Sequence, residues 1–216
     1  MRKGLFITFE GTEGSGKTTQ LRLLSKVLKE YGIPHIVTRE PGGSRLATQL
    51  RRWILNQLDY NLMPRTELLL FLADRAQHVG EVIEPALRQG KVVLCDRYSD
   101  STLAYQGGGR GFDMKLLKTL NAAASDLKPD ITLLFDLSVE VGLKRALGRG
   151  KGKDRMEREK LKFHKAVRRV YLELARKEKG RFIVVDAGQS QEFTYHEMLE
   201  KLIEKLPLRN KGKKRG

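Results

Sequence analysis

Residues 11–18 read GTEGSGKT and match the spacing G-x-x-x-x-G-K-[ST]. Gly11, Gly14 and Gly16 allow a backbone turn tight enough for successive N–H groups to face phosphate oxygens. Thr12 and Ser15 complete the loop, Lys17 brings a point charge to β- and γ-phosphates, and Thr18 offers a hydroxyl to Mg²⁺. A helix opening at Thr18 and Thr19 adds the positive end of its dipole. Glu13 is the odd member, a carboxylate inside a loop built for anions. A second reactive stretch is VVLCDRY, residues 92–98. Its apolar run delivers Asp96 as a candidate for holding Mg²⁺ or its waters, beside Arg97 for a phosphoryl group. Asp136, at the end of ITLLFD, is the rival for the metal role. Asp96 is favoured because a carboxylate next to a guanidinium suits a site where two anions meet.

These residues need elements to position them. Five short apolar runs, at 5–9, 35–38, 92–95, 131–136 and 182–186, read as strands. Between them lie stretches of helical spacing. Leu21, Leu24, Val27 and Leu28 share one face of a helix that ends near Gly32. Helices are expected at 45–58, over 65–89 as two pieces, at 113–124 behind an Asp113 cap, after a Ser138 cap, at 157–178 and at 191–206. Nearly continuous apolar strands alternating with helices predict a five-stranded parallel sheet with helices on both faces. Right-handed crossovers then bring FEGTEG, TREPGG, CDRYSDS and FDLS to one edge. The expected organisation is a single α/β domain over 1–208. It includes a small basic lid at about 148–156 (GRGKGKDR lies at 148–155), and a basic tail over 209–216 follows.

Composition removes several classes. The chain has 216 residues, 40% of them hydrophobic, enough for one full core. No apolar run approaches the roughly eighteen residues of a membrane span. The single cysteine, Cys95, sits in a strand and has no disulfide partner, so a cytoplasmic compartment is expected. The four histidines are scattered without metal spacing and receive no role. The net charge of +16 is concentrated in the second half and raises nucleic acid as a partner. Without the interleaved aromatics of a stacking platform, a specific nucleic-acid partner is not expected. No guanine-reading N-K-x-D occurs, which argues against a GTPase. The short chain with a basic loop near 150 suits a kinase that closes over two substrates and excludes water.

FEGTEGSGKTTQ, TREPGG, ELLLFLADRAQHV, CDRYSDSTLAYQGGGRG and PDITLLFDLSVEVGLKRA occur in the order and spacing of thymidylate kinases, and the chain resembles that family over about residues 5–175. The resemblance implies a nucleoside monophosphate kinase-like fold. It also implies transfer of a phosphoryl group from Mg-ATP to dTMP, giving dTDP and ADP, by a homodimer. Other (deoxy)nucleotides as acceptors, and a P-loop NTPase gripping nucleic acid, are the competing readings. By the same resemblance Glu13 reaches the 3′-hydroxyl of the acceptor sugar, and Arg39 binds or orients its phosphate. Phe71 stacks on thymine, and Arg75 bonds its exocyclic oxygen. Thr102 and Gln106 read the base edge, Tyr105 packs under the deoxyribose, and Ser101 belongs to the same substrate site. Lys17, Arg97 and a lid arginine surround the transferred group, and Arg145 belongs to the ATP side. The family takes its extra positive charge from the phosphate loop or from the lid. TEGSG has no arginine, so the resemblance implies a bacterial type with a basic lid: Arg149 first, Arg155 second, with Lys151 and Lys153 in support.

Overall fold

The computed structural model describes residues 4–56, 61–148 and 154–205. Five strands, β1 (Phe6–Glu10), β2 (His35–Arg39), β3 (Val92–Asp96), β4 (Ile131–Asp136) and β5 (Phe182–Asp186), form one sheet in the order β2-β3-β1-β4-β5. All four pairings are parallel. Register brings Phe9 beside Asp96, Arg39 beside Asp96, and Asp136 beside Asp186. The carboxyl ends of the strands therefore form one edge, as the alternating pattern predicts.

Side chains alternate across the sheet with the period of two that a strand imposes. Ile7, Phe9, Leu94, Leu133, Phe135, Ile183 and Val185 face one side, where they meet Leu21, Leu24 and Leu28 of α1 (Lys17–Glu30) and Met198 and Leu202 of α9 (Gln191–Lys205). On the other side Leu134 and Phe182 pack on Phe163, Val167, Val170, Tyr171 and Leu174 of α8 (Leu161–Lys177). Phe6, Val93 and Cys95 meet Val79, Ile83 and Leu87. Each fully buried side chain of this size contributes roughly 1.5–3 kcal/mol, so both faces are covered by strong packing.

The remaining helices are α2 (Arg45–Leu55), α3 (Pro64–His78), α4 (Glu84–Arg88), α5 (Ser99–Thr102), α6 (Met114–Ala124) and α7 (Val139–Leu147). Ser138 and Asp113 cap α7 and α6, accepting from Val141 N (3.3 Å) and Leu116 N (2.8 Å). Three stretches add to or differ from the sequence expectation. The stretch 65–89 runs as α3, a π-helical turn at Val79–Ile83 and α4 without a break. The glycine-rich LAYQGGG also stays helical, as a π-helical segment over Leu103–Gly109 continuing α5. Its glycines are needed for close approach: a Cβ at Gly108 would meet Ala166 O of α8 at 2.8 Å. The helix expected from 157 starts at Leu161, after a turn. The proposed lid falls mostly on residues 149–153, outside the described residues, as do Arg149, Lys151, Lys153 and the 209–216 tail.

Candidate active site

A cavity of about 710 Å³ opens on the carboxyl edge of the sheet, reached by the phosphate loop, β2, β3, α3 and the 99–109 helix. The loop leaves β1 with Gly11, Gly14 and Gly16 at φ 141°, 70° and 83°. Gly14 lies so close to Gly142 of α7 that a Cβ there would sit 1.9 Å from its carbonyl oxygen. Lys17 is buried in the loop, its Nζ donating to Thr12 O (2.8 Å) and Ser15 Oγ (3.1 Å). Thr12 and Ser15 thus hold the lysine from behind, while Glu13, Gly14, Gly16, Lys17, Thr18 and Thr19 face the cavity. Burial, with the charge of Arg97, pulls the Lys17 ammonium down to about 7, a shift that an incoming polyphosphate opposes.

Thr18 Oγ1 donates to Asp96 Oδ2 at 2.5 Å. The rival carboxylate, Asp136, is occupied by a bidentate pair with Arg168, at 2.7 and 2.8 Å. A hydroxyl and a carboxylate beside the lysine make an all-oxygen donor set of the kind a hard divalent cation takes. Among the described residues no group of three or more His, Cys, Asp or Glu forms a protein-only metal cage, which fits an ion completed by waters and phosphates.

Arg97 is the one non-glycine among the described residues with positive φ, at 71°. This left-handed backbone costs roughly 1–2 kcal/mol and is clamped on both sides. Arg97 N donates to Phe9 O at 3.0 Å, and Tyr98 N donates to the buried Glu10 at 2.7 Å. The turn aims the guanidinium at the phosphate loop, where it donates to Gly11 O (3.0 Å) and Glu13 Oε1 (3.2 Å) over the Tyr105 ring. Glu10 also accepts from Ser101 Oγ and Tyr171 OH, each at 2.7 Å. Burial, with the nearby charge of Asp100, raises its carboxyl to about 7.

Glu13 is the meeting point. Its Oε1 takes bonds from Tyr105 OH and Arg97, and its Oε2 takes one from His164 Nδ1 (3.0 Å). Burial works against its charge, but the His164 bond and the charges of Arg97 and Lys17 outweigh it and hold the carboxyl at about 2. His164, given no role from sequence, is wholly buried behind the phosphate loop. The signal was weak, because a histidine on a charged amphipathic helix reads as one more polar residue.

Beyond the phosphate loop the cavity is lined by Arg39, Phe71, Arg75, Thr102, Tyr105 and Gln106, together with Ser101 and Arg97. Arg51 of α2, missed from sequence, joins Arg39 there and donates to Pro41 O at 2.7 Å. Arg75 is buried: Nε and NH2 meet Glu40 Oε2 (2.9 and 2.8 Å), and NH1 meets Thr102 (2.9 Å) and Asn121 (2.7 Å). Glu40 is itself held by His78 Nδ1 at 3.1 Å, while Gly42 N donates to Asp74 at 2.8 Å. TREPGG is therefore pinned from below by α3. Arg145 donates to Ala187 O (2.7 Å) and Gly188 O (3.1 Å) at the rim. Arg155 is drawn to Ile54 O of α2 (2.8 Å) and Glu67 of α3 (2.6 Å), and not to the phosphate loop.

The family model for thymidylate kinase matches residues 9–198. The chain belongs to the thymidylate kinase family. A thymidylate kinase of Carboxydothermus hydrogenoformans is 54% identical over 197 residues, covering 91% of this chain and 95% of that protein. One from Pelotomaculum thermopropionicum is 46% identical over 99% of this chain and all of its own length. The crystal structure of thymidylate kinase from Ehrlichia chaffeensis superposes with a TM-score of 0.74 at 35% identity, covering 92% of this chain and 98% of that one. The activity is that of a thymidylate kinase, conversion of dTMP to dTDP, in a family that uses Mg-ATP. The resemblance, the parallel sheet in the order 2-3-1-4-5 and the enzyme class expected from sequence are borne out. No helix among the described residues of this thymidylate kinase is long and apolar enough to cross a membrane.

Proposed function

We propose that ATP and dTMP meet end to end across Glu13, with ATP on the phosphate loop and dTMP between Arg39, Phe71 and Gln106. The observation that carries this reading is the triple hold on Glu13 by Arg97, Tyr105 and His164, which keeps an ionised carboxylate between two anion sites. Among the described residues Glu13 Oε2 has one donor, His164, and it retains a lone pair for a sugar hydroxyl. Lys17 and the phosphate-loop N–H groups take the polyphosphate. Thr18 and Asp96 would hold Mg²⁺, which would supply charge neutralisation to the polyphosphate. Arg97 spans the gap, and Arg39 and Arg51 receive the acceptor phosphate. Phe71 stacks on the base, and Tyr105 closes the floor under the deoxyribose. The acceptor phosphate is already ionised near neutrality, so positioning and electrostatics carry the rate without a general base.

The phosphate loop carries no arginine, so the proposed type draws that charge from the lid through Arg149. Arg149→Ala is expected to lower kcat by about 10³-fold while the KM for dTMP stays near wild type. Arg155→Ala should act on the acceptor side instead. Equal kcat for Arg149→Ala and wild type would remove the lid assignment. The test of the whole reading is ADP release with Mg-ATP and dTMP, dUMP, dCMP, dGMP, UMP or no acceptor. Strong turnover with dTMP and weaker turnover with dUMP is the expected pattern. Acceptor-independent hydrolysis stimulated by DNA would overturn it.

The 1–208 domain with its lid and tail, a cytoplasmic location and a homodimer belong to the same proposal. Trp53 of α2 and Leu69 of α3, both more than half exposed on adjacent helices, supply the apolar surface a dimer would cover. Sedimentation of the full chain at a single-protomer mass would reject the dimer.

A further inference from the structure

Glu67 is the carboxylate that pairs with Arg155. It lies on α3, one turn before Phe71, and is fully buried. Its Oε1 accepts from Gln106 Nε2 (2.8 Å) and Arg110 Nε (3.2 Å), and its Oε2 from Arg110 NH2 (3.0 Å) and Arg155 NH1 (2.6 Å). Burial works against the charge, but the bonds and charge of Arg110, with Gln106 and Arg155, hold the carboxyl below its usual range. An ionised carboxylate only accepts hydrogen bonds. The atom of Gln106 facing Glu67 is therefore its amide nitrogen. Turning that carboxamide over would set a buried carbonyl against a buried carboxylate, with neither satisfied.

This fixed polarity has a chemical consequence at the cavity, which Gln106 lines. With its nitrogen committed to Glu67, Gln106 offers its side-chain oxygen as an acceptor. Arg75, which bonds Thr102 one helical turn before Gln106 and lines the same cavity, has five N–H donors. Four are matched among the described residues, by Glu40 twice and by Thr102 and Asn121, leaving one on NH2. An acceptor and a donor on one cavity wall complement a pyrimidine edge with N3–H next to C4=O. Thymine and uracil present that edge. Cytosine presents the reverse, a bare N3 next to an amino group.

We infer that Glu67 is a positioning residue for base selection, holding the Gln106 carboxamide with its oxygen toward the base so that the site takes thymine and turns cytosine away. The inference rests on the reading of Gln106 as a base contact. The test is the ratio of kcat/KM for dTMP over dCMP, with dUMP alongside, in wild type, Glu67→Gln, Glu67→Asp and Gln106→Leu. In Glu67→Gln the two guanidiniums claim the new carboxamide oxygen, which leaves an NH2 facing Gln106 and forces it to turn over. The dTMP/dCMP ratio is expected to fall about tenfold or more, mainly through the KM for dTMP. The dTMP/dUMP ratio should not change, because both bases share the edge, whereas a loosened pocket would move both ratios. Glu67→Asp keeps an acceptor-only group and should retain the dTMP/dCMP ratio even where KM rises. If Glu67→Gln does not fold, Glu67→Asp carries the test, and a collapsed ratio there with an unchanged KM for ATP would overturn the inference. An unchanged ratio in Glu67→Gln would also overturn it. Gln106→Leu then says why: a lost ratio shows that Gln106 reads the base without help from Glu67, and a retained ratio shows that Gln106 does not read the base.

Discussion

Two buried groups set how single residues respond to pH. Asp74 is buried beneath Gly42, with no hydrogen-bond partner for Oδ2 among the described residues. Burial, reinforced by the charge of Glu40, raises its carboxyl from 3.8 to about 7. A raised carboxyl favours the fold fully below its unfolded value, and that contribution is lost as pH rises through the folded value. Asp74→Asn mimics the neutral form and can keep the Gly42 bond. Its urea midpoint should match wild type near pH 4 and exceed it above pH 7, by on the order of 3 kcal/mol in stability. A gap that does not change with pH would count against the assignment. His164 works in the opposite sense, as the leading influence that holds Glu13 at about 2 against burial. In His164→Leu the Glu13 carboxyl should rise and the acid limb of kcat/KM for dTMP should move to higher pH. The value at neutral pH should fall by roughly ten- to a hundredfold. An unmoved acid limb would show that Arg97 and Tyr105 suffice.

At the scale of elements, the sequence shows most clearly what local periodicity dictates. The five strands, the α1 face of Leu21, Leu24 and Leu28, and the Asp113 and Ser138 caps all follow from patterns a few residues long. What stayed hidden depends on distant partners. Gly107, Gly108 and Gly109 carry no local sign of helix, yet they are helical and lie close against Met114 and α8. Glu10, Glu40 and Glu67 sit on a strand end, a turn and a helix with no local sign that each is a buried hub. The left-handed Arg97 was likewise invisible, since its clamp comes from β1. The α7 contact is the sharpest test at this scale. A Cβ at position 142 would meet Glu13 O at 2.4 Å, with backbone on the other side of the clash. Gly142→Ala is expected to displace the phosphate loop, raise the KM for ATP severalfold and cost about 1–3 kcal/mol of stability. Normal ATP kinetics in a folded Gly142→Ala would show that α7 yields and the loop does not.

The whole molecule carries a charge of +16 and handles two polyanions. Lys17, Arg22, Arg39, Arg51, Arg75, Arg97 and Arg145 line the cavity against five carboxylates, so the cavity keeps a positive excess within the field of a strongly basic chain. Raising salt from about 0.05 to 0.5 M should therefore lower kcat/KM for dTMP severalfold with little change in kcat. A salt-independent kcat/KM would mean that short-range contacts alone recruit substrate. The parallel sheet makes this excess possible, because every strand ends on the same edge.

The bare meeting of Gly14 and Gly142 also bears on how this chain can change over generations. Most packed pairs drift by compensation, one side chain shrinking as the other grows. Here neither partner has a side chain to give up, and each hypothetical Cβ strikes the backbone of the other segment. A step away from glycine at either position therefore carries the backbone clash undiluted, with no side chain opposite that could shrink to relieve it. Glu67 and Gln106 differ in kind, since a carboxylate and a carboxamide can in principle trade places and keep their bond. Variation among descendants of this sequence should therefore be open at the wall that chooses the base and closed at the floor that holds the phosphates.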